Sequence, residues 1–325
     1  MNQSRFEHIY RPHWEQFSRV LEALEGGSVE TPGTISIEDF PRSYRQLCNH
    51  YALARARHYS PALVDHLHGL VLRGHRQLYK KKTQLIWTII GFITYDFPST
   101  LRQNLPAFWL ALALFALPCV TIAVATYRSP TRIYSLMNES GVARMETMYT
   151  PKTWKIGRTG KQKSETDVQM FGFYIFNNIS IGFRTFAGGV VFGIGSIFFL
   201  IFNGLLIGGA AGYLSHPPYR HVFWQFVLGH GALELTAIVI SGAAGLLLGY
   251  SLIRPGRYRR LDALRLQAPI ALKLAMGAAA MLLGAAFIEA FWSSMNLPQA
   301  TKYTFAACAW TLVILYFCFA GRDQR

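Results

Sequence analysis

The stretch from Val168 to Ile253 is apolar enough to sit in a bilayer, yet it carries Asn177, Asn178, Arg184, Asn203, His230 and Glu234. Polar and charged groups at that depth are costly, so each calls for a partner or a polar cavity. The same stretch holds glycines four residues apart, as Gly189/Gly193, Gly204/Gly208/Gly212 and Gly245/Gly249. Ala237 and Ser241 extend the last pair into one strip along a helix face. In lipid, small residues on this spacing let helix backbones approach closely, and packing replaces the missing hydrophobic drive. The block therefore predicts a glycine-packed intramembrane core with polar groups held inside it.

Composition agrees. The chain has 325 residues and is 51% hydrophobic, and after Leu105 its apolar residues gather in long runs. A soluble chain would spread them at helix or strand period, so the fold class expected is all-α and polytopic in a membrane. The first long apolar run begins about a hundred residues in, behind a polar N-terminus, which is not the pattern of a signal peptide. The net charge of +15 is the ordinary orientation signal of basic residues flanking membrane spans, and no nucleic-acid partner is expected. Cys48, Cys119, Cys308 and Cys318 show no CxxC spacing and read as packing residues.

Before the membrane part, residues 1–82 read as a cytoplasmic three-helix bundle. Ser4 and Glu7 have capping-box spacing, and Phe6, Ile9, Trp14, Phe17, Leu21 and Leu24 follow at near-helical intervals to Gly26-Gly27, with Pro12 a point of irregularity. A second pattern starts near Ser36, and a third runs from Pro61 to about Lys82 behind an N-cap at Ser60. Residues 83–104 are too short and too polar to span, and with Trp87, Tyr95 and Asp96 they fit an amphipathic helix lying in the interface.

Residues 105–325 form the transmembrane domain. Leu105–Tyr127 is the first span, with a bend expected at Pro118, and 128–167 is an extramembrane loop long enough for short helices of its own. Gly188-Gly189 divides the next run into arms Val168–Ala187 and Gly189–Tyr213, the first of which either crosses or is re-entrant. Gly229-His230-Gly231 predicts a second break within Val222–Ile253. Pro269–Trp292 and Tyr303–Ala320 complete five or six crossings. With six, 20 Lys and Arg lie on the side of the termini against 10 on the other; with five, the split is 15 against 15. The positive-inside rule thus favours six crossings, cytoplasmic termini and an external 128–167 loop.

His230 and Glu234 are four apart and share a helix face. As a metal site they lack an evident third ligand, so none is expected. As a relay they are typical hardware for a proton or ion. As structure, Glu234 pairs with Arg184 and fixes helix register, with His230 as the third member of the unit. Glu289, near the end of the fifth run, reaches toward the headgroups, and Asn177-Asn178 caps a broken helix or lines a cavity. No HExxH, paired intramembrane aspartates, Gly-x-Ser-x-Gly elbow or P-loop is present, and Ser196 has no evident base. No catalytic residue, enzyme activity or cofactor is expected.

The runs FGFYIFNNISIGFRTFAGG, FNGLLIGGAAGYL and FVLGHGALELTAIVISGAAGLLLG, the following RPG, and IEAFWSS together resemble the stage II sporulation protein M family of bacterial membrane proteins. So do RPHWEQF, YRQLCNHYALARAR and HGLVLRGHRQLY near the N-terminus. The resemblance is to the long form with an N-terminal helical domain, which the sporulation protein itself lacks. It implies a multi-pass protein of the cytoplasmic (inner) membrane. In spore formers the family anchors a peptidoglycan-hydrolase machine, and genomic neighbours of the long form include a MoxR-type ATPase. The function expected is a scaffold for a cell-envelope complex, in contact with lipids and able to form a homo-oligomer. The rival is a channel or transporter using Arg184, His230, Glu234 and the asparagine pair; a continuous polar cavity would mark it, and a sealed core would mark the scaffold.

Overall fold

The computed structural model describes residues 2–25, 39–151, 162–295 and 297–322, and among these the fold is all helical. The expected helix stop at Gly26-Gly27, the start near Ser36, the extreme C-terminus and most of the Gly/Lys-rich part of the 128–167 loop lie outside the described residues. Two compact units divide the chain at Gly91/Phe92.

The first unit is built from α1 (Gln3–Leu24), α2 (Phe40–Ala56) and α3 (Pro61–Gly91). Phe6, Phe17, Leu21, Leu47 and Leu67 are fully buried between them, so the period-3.6 apolar stripes face one another. Asn2, two residues ahead of the expected cap at Ser4, caps α1 by accepting from Arg5 N at 3.1 Å, and α1 continues through Pro12. Gln3 fixes the start of α3: its Oε1 accepts from Ser60 N at 2.9 Å and its Nε2 donates to Ser60 Oγ at 2.8 Å. α3 runs on past Lys82 to Gly91, and Leu85, Ile86, Trp87, Ile89 and Ile90 on its last turns are exposed.

The second unit begins with a π-helical turn (Phe92–Asp96) and the short α4 (Phe97–Gln103). The stretch expected as one interfacial helix is thus divided between the end of α3, this turn and α4. Phe97 and Leu101 are buried, with the Phe97 ring lying over Gly277. Among the described residues, five helices are long and apolar enough to cross a membrane: α5 (Leu105–Arg128), α8 (Ile194–Leu214), α9 (Arg220–Ile253), α10 (Arg260–Phe287, extended to Ser293 by a second π-helical turn) and α11 (Gln299–Phe319). Between α5 and α8 come a 3-10 turn (Pro130–Ser135), α6 (Glu139–Tyr149) and α7 (Gln162–Ala187).

Contacts fix the course of the chain. Gly204, Gly208 and Gly212 of α8 meet Phe115, Cys119 and Ala123 of α5 in the same order, so those helices run parallel. Gly193, Ser196 and Leu200 meet Gly249, Gly245 and Gly242 in reverse order, so α9 runs back against α8. α7 meets α10 through Phe171 with Phe287 and Gly182 with Leu282, and it meets α9 through Gly182 with Ser241 and Gly189 with Gly245. It therefore runs parallel to α9 and antiparallel to α8 and α10. The chain alternates through α5, α7, α8, α9, α10 and α11, and both ends of this unit fall at one end of the bundle. There Arg102 Nη1 donates to Phe317 O at 3.0 Å, and Gly321 lies against Tyr95. We call this the Gly256 end, and the opposite one the Ser129 end.

Between α7 and α8 the chain turns through Gly188–Gly193, where Phe192 and Gly193 take φ of 51° and 81°. A left-handed glycine suits the reversal, and Gly188 packs backbone to backbone on Gly195. Ser196 Oγ donates to Thr185 O at 2.6 Å and ties the two arms together. This break falls where the sequence predicts it. The second does not exist: α9 passes through Gly229, His230 and Gly231 without interruption. Glycine permits a break but does not require one, and here packing keeps the helix whole. α5 likewise continues through Pro118.

If α7 passes the full thickness, cysteine replacing Val191 should label from the same membrane side as cysteine replacing Gly256, and cysteine replacing Ser129 from the other. Protection of the Val191 position from both sides would make α7 re-entrant.

Candidate functional site

The centre of the site lies on α9. His230 is 4% exposed, and its Nε2 faces Glu234 Oε2 at 3.6 Å, one turn further along. Its other nitrogen, Nδ1, is hydrogen-bonded to Ser293 Oγ at 3.1 Å. Ser293 and Glu289 both belong to the π-helical turn that ends α10. The wider turn changes the register of the helix end and sets both residues toward α9; such turns recur at functional sites. Glu289 completes a group in which one ligand atom from each of His230, Glu234 and Glu289 lies within 4.8 Å of the others. Asn178 of α7, 2% exposed, donates from Nδ2 to Glu289 Oε2 at 3.5 Å. Three elements thus converge: α9, the π turn that ends α10, and α7.

On the Ser129 side the group is roofed by aromatic rings. Phe226 packs against His230 with ring centroids 5.4 Å apart, and Tyr149 of α6 packs edge-on against Phe223 at 5.2 Å. Burial holds the Tyr149 phenol well above its ordinary pKa, and the nearby carboxylates of Glu289 and Glu234 push the same way. Lys302, 3% exposed, donates its ammonium to Ser293 O at 2.9 Å. On the other side, α9 buries Ala237, Ile238, Val239, Ile240, Ala243 and Ala244, each 2% exposed or less. The polar group is therefore covered by aromatic rings toward one end of the bundle and closed by apolar packing toward the other.

The remaining candidate residues lie elsewhere. Arg184 is exposed near the α7–α8 turn and makes no ion pair with Glu234, so the pairing expected from sequence is incorrect. That pairing needs the two side chains to lie level on adjacent helices. The arms are parallel, and Arg184 is level with the Ser241–Gly245 region of α9. At 1.5 Å per residue that is roughly 12 Å from Glu234 along the axis. Glu289 turns inward to the group instead of reaching headgroups, and it is the third donor of that group, which the sequence spacing conceals. Asn177 is exposed and donates to Asn178 Oδ1 at 3.2 Å, while Asn203 Nδ2 donates to Phe199 O in its own helix at 2.7 Å. Ser293, Lys302 and Tyr149 escape sequence reading altogether, because nothing local marks them as members of a site 60 to 150 residues away.

The small residues pack backbone to backbone. A Cβ at Gly189, Gly204, Gly208, Gly245 or Gly249 would lie under 3.0 Å from backbone of a neighbouring element, and one at Gly212 would meet the Ala123 carbonyl and Thr126 Oγ1. Thr126 Oγ1 donates to Gly209 O at 3.2 Å across the α5–α8 interface. Ser241 is buried against Gly182, and Gly193 uses its positive φ at the turn.

Arg184→Gln should therefore change stability by no more than about 0.5 kcal/mol, as for a surface site. Its effect should add to that of Glu234→Gln without coupling, as expected for distant groups. Thermal unfolding of the two single variants and the double variant in detergent checks this; coupling above about 1 kcal/mol would mean that the two charges meet.

Comparison with known proteins gives three results. A family model described as stage II sporulation protein M matches residues 109–294. A domain of unknown function matches residues 4–80, which fall within the first unit. An uncharacterized protein of Methanocaldococcus jannaschii is 33% identical over 82 residues, covering 25% of this chain and 46% of that protein, so the match spans about half the length of the relative. No solved structure matches.

Proposed function

Because this chain belongs to the stage II sporulation protein M family, as a multi-pass membrane protein, we propose that it acts as a non-enzymatic scaffold for a cell-envelope complex. The observation that carries this reading is the way α9 is held. Gly189 and Gly193 lie on Gly245 and Gly249 with no side chain between the backbones, and the apolar core of α9 seals the bundle beneath the polar group. Backbone contact over several turns favours one rigid arrangement, which suits an anchor better than an alternating-access transporter. α5 and α11, only 11% buried over their apolar windows, present their outer faces to lipid. The basic flanks favour an N-terminal unit in the cytoplasm, the bilayer being the bacterial inner membrane in the family picture. There the helical unit 1–91 receives the partner, for which a MoxR-type ATPase is the first candidate, and self-association of the bundle is the second element of the assembly.

The test is affinity purification of the full chain and of a chain lacking residues 1–80 from native membranes, alongside flux assays on the full chain in proteoliposomes. A stoichiometric partner retained only by the full chain is the expected result. Solute or ion flux above empty liposomes, with no retained partner, would move the assignment to a transporter.

A further inference from the structure

We infer that His230, Glu234 and Glu289 form a binding site for a divalent first-row transition cation, of the zinc or manganese class, near the Ser129 end of the bundle. Three observations carry the inference independently of the scaffold reading. The first is the donor set. One imidazole nitrogen and two carboxylates from two elements converge within 4.8 Å. Ligands held at about 2.1 Å in tetrahedral geometry lie roughly 3.4 Å apart, so small side-chain rotations close the set around one ion. A mixed nitrogen and oxygen set favours zinc, manganese or iron over magnesium or calcium, which take oxygen ligands. Three protein ligands leave a position for water, as in open zinc sites.

The second observation is the orientation of the histidine. A ligating imidazole characteristically engages a fixed partner through its second nitrogen. Ser293 does this at Nδ1, leaving Nε2 directed at Glu234. Asn178 plays the corresponding part at Glu289, donating to Oε2 and leaving Oε1 for an ion. Both outer partners are themselves nearly buried, Ser293 at 1% and Asn178 at 2%.

The third is electrostatic. Two carboxylates in one buried group repel each other and are costly to desolvate unless a cation or protons neutralise them. Arg184 of α7 lies about two turns away. Lys302 brings one positive charge to the π turn, where its ammonium donates to the Ser293 carbonyl. A divalent ion bound by both glutamates and His230 would relieve the repulsion and join α9 to the end of α10.

The experiment uses the full chain in nanodiscs, stripped with chelator, desalted, and equilibrated separately with Zn2+, Mn2+ and Mg2+. Metal analysis after a second desalting should find one equivalent of Zn2+ or Mn2+ per chain and little Mg2+, with a rise in unfolding temperature on loading. His230→Ala and Glu289→Gln should each abolish retention of the ion. Ser293→Ala, which keeps every ligand, should weaken affinity by about 10- to 100-fold. Arg184→Gln should bind as the parent does. Co2+ substituted at the site reports its geometry by visible absorption, which should vanish in Glu289→Gln; circular dichroism confirms that this variant is folded. Failure of the parent chain to retain any of the transition ions, or equal retention by parent and Glu289→Gln, would overturn the site and leave protons as the neutralising species.

Discussion

Gly208→Leu should leave little folded protein in the membrane. α8 lies so close to α5 at this point that even a Cβ would stand under 3.0 Å from the Cys119 carbonyl oxygen, carbonyl carbon and Cα. All three are backbone atoms, so no rotamer change relieves the clash, and the helices must separate. Separation would also strip the contacts at Gly204 and Gly212 and the Thr126 bond to Gly209. Overpacking of a tight core costs about 1–3 kcal/mol when side chains can shift, and this site belongs at or above the top of that range. Gly172→Leu is the control, because nothing lies within 4 Å of a Cβ there. Yield and unfolding temperature in detergent, read side by side, decide the matter. Equal values for the two variants would mean that α5 and α8 are not in backbone contact.

The second large effect should come from a single methyl group. Gly189→Ala places a Cβ under 3.0 Å from the carbonyl oxygen, carbonyl carbon and Cα of Gly245. Since Gly245 has no side chain, the partner has nothing to move except its backbone. An exposed helix glycine ordinarily gains up to about 1 kcal/mol on replacement by alanine, which is the sign expected for Gly172→Ala. For Gly189→Ala the sign should reverse, to a loss of about 1–3 kcal/mol. The paired variants make the reading independent of any general effect of alanine in membrane helices. A Gly189→Ala chain as stable as the parent would show that the α7–α8 turn does not seat on α9.

Much of this architecture was legible before the structure because membranes impose strict rules. A backbone in lipid must satisfy its own hydrogen bonds, so long apolar runs have little choice but helix. Small residues every four positions have one main use there, which is close approach. The turn at Gly188–Gly193 was visible because two adjacent glycines interrupt an apolar run too long for one pass.

The site was legible only in part, and each failure has a physical cause. His230 and Glu234 could be paired from sequence because their spacing of four fixes them on one helix face. Arg184 was an attractive partner for Glu234 on grounds of charge alone, but charge carries no information about whether two helices run parallel or antiparallel. Register does, and it is set by Gly182 against Ser241 and Gly189 against Gly245. Those contacts carry Arg184 toward the Gly256 end, where a long basic side chain can reach the bilayer surface. Glu289 was hidden for a different reason. Its direction depends on a π-helical turn, a change of helical pitch that no residue pattern in IEAFWS announces.

The sequence by itself therefore determined the all-helical class, the apolar runs long enough to cross a membrane, the positions of closest packing and the family. Each of these follows from local composition and spacing. Only the tertiary structure decided which polar groups meet: His230, Glu234, Glu289, Asn178 and Ser293 together, with Arg184 apart. Meeting across helices depends on chain direction, register and pitch, and these are set by the sum of many packing contacts over the whole bundle.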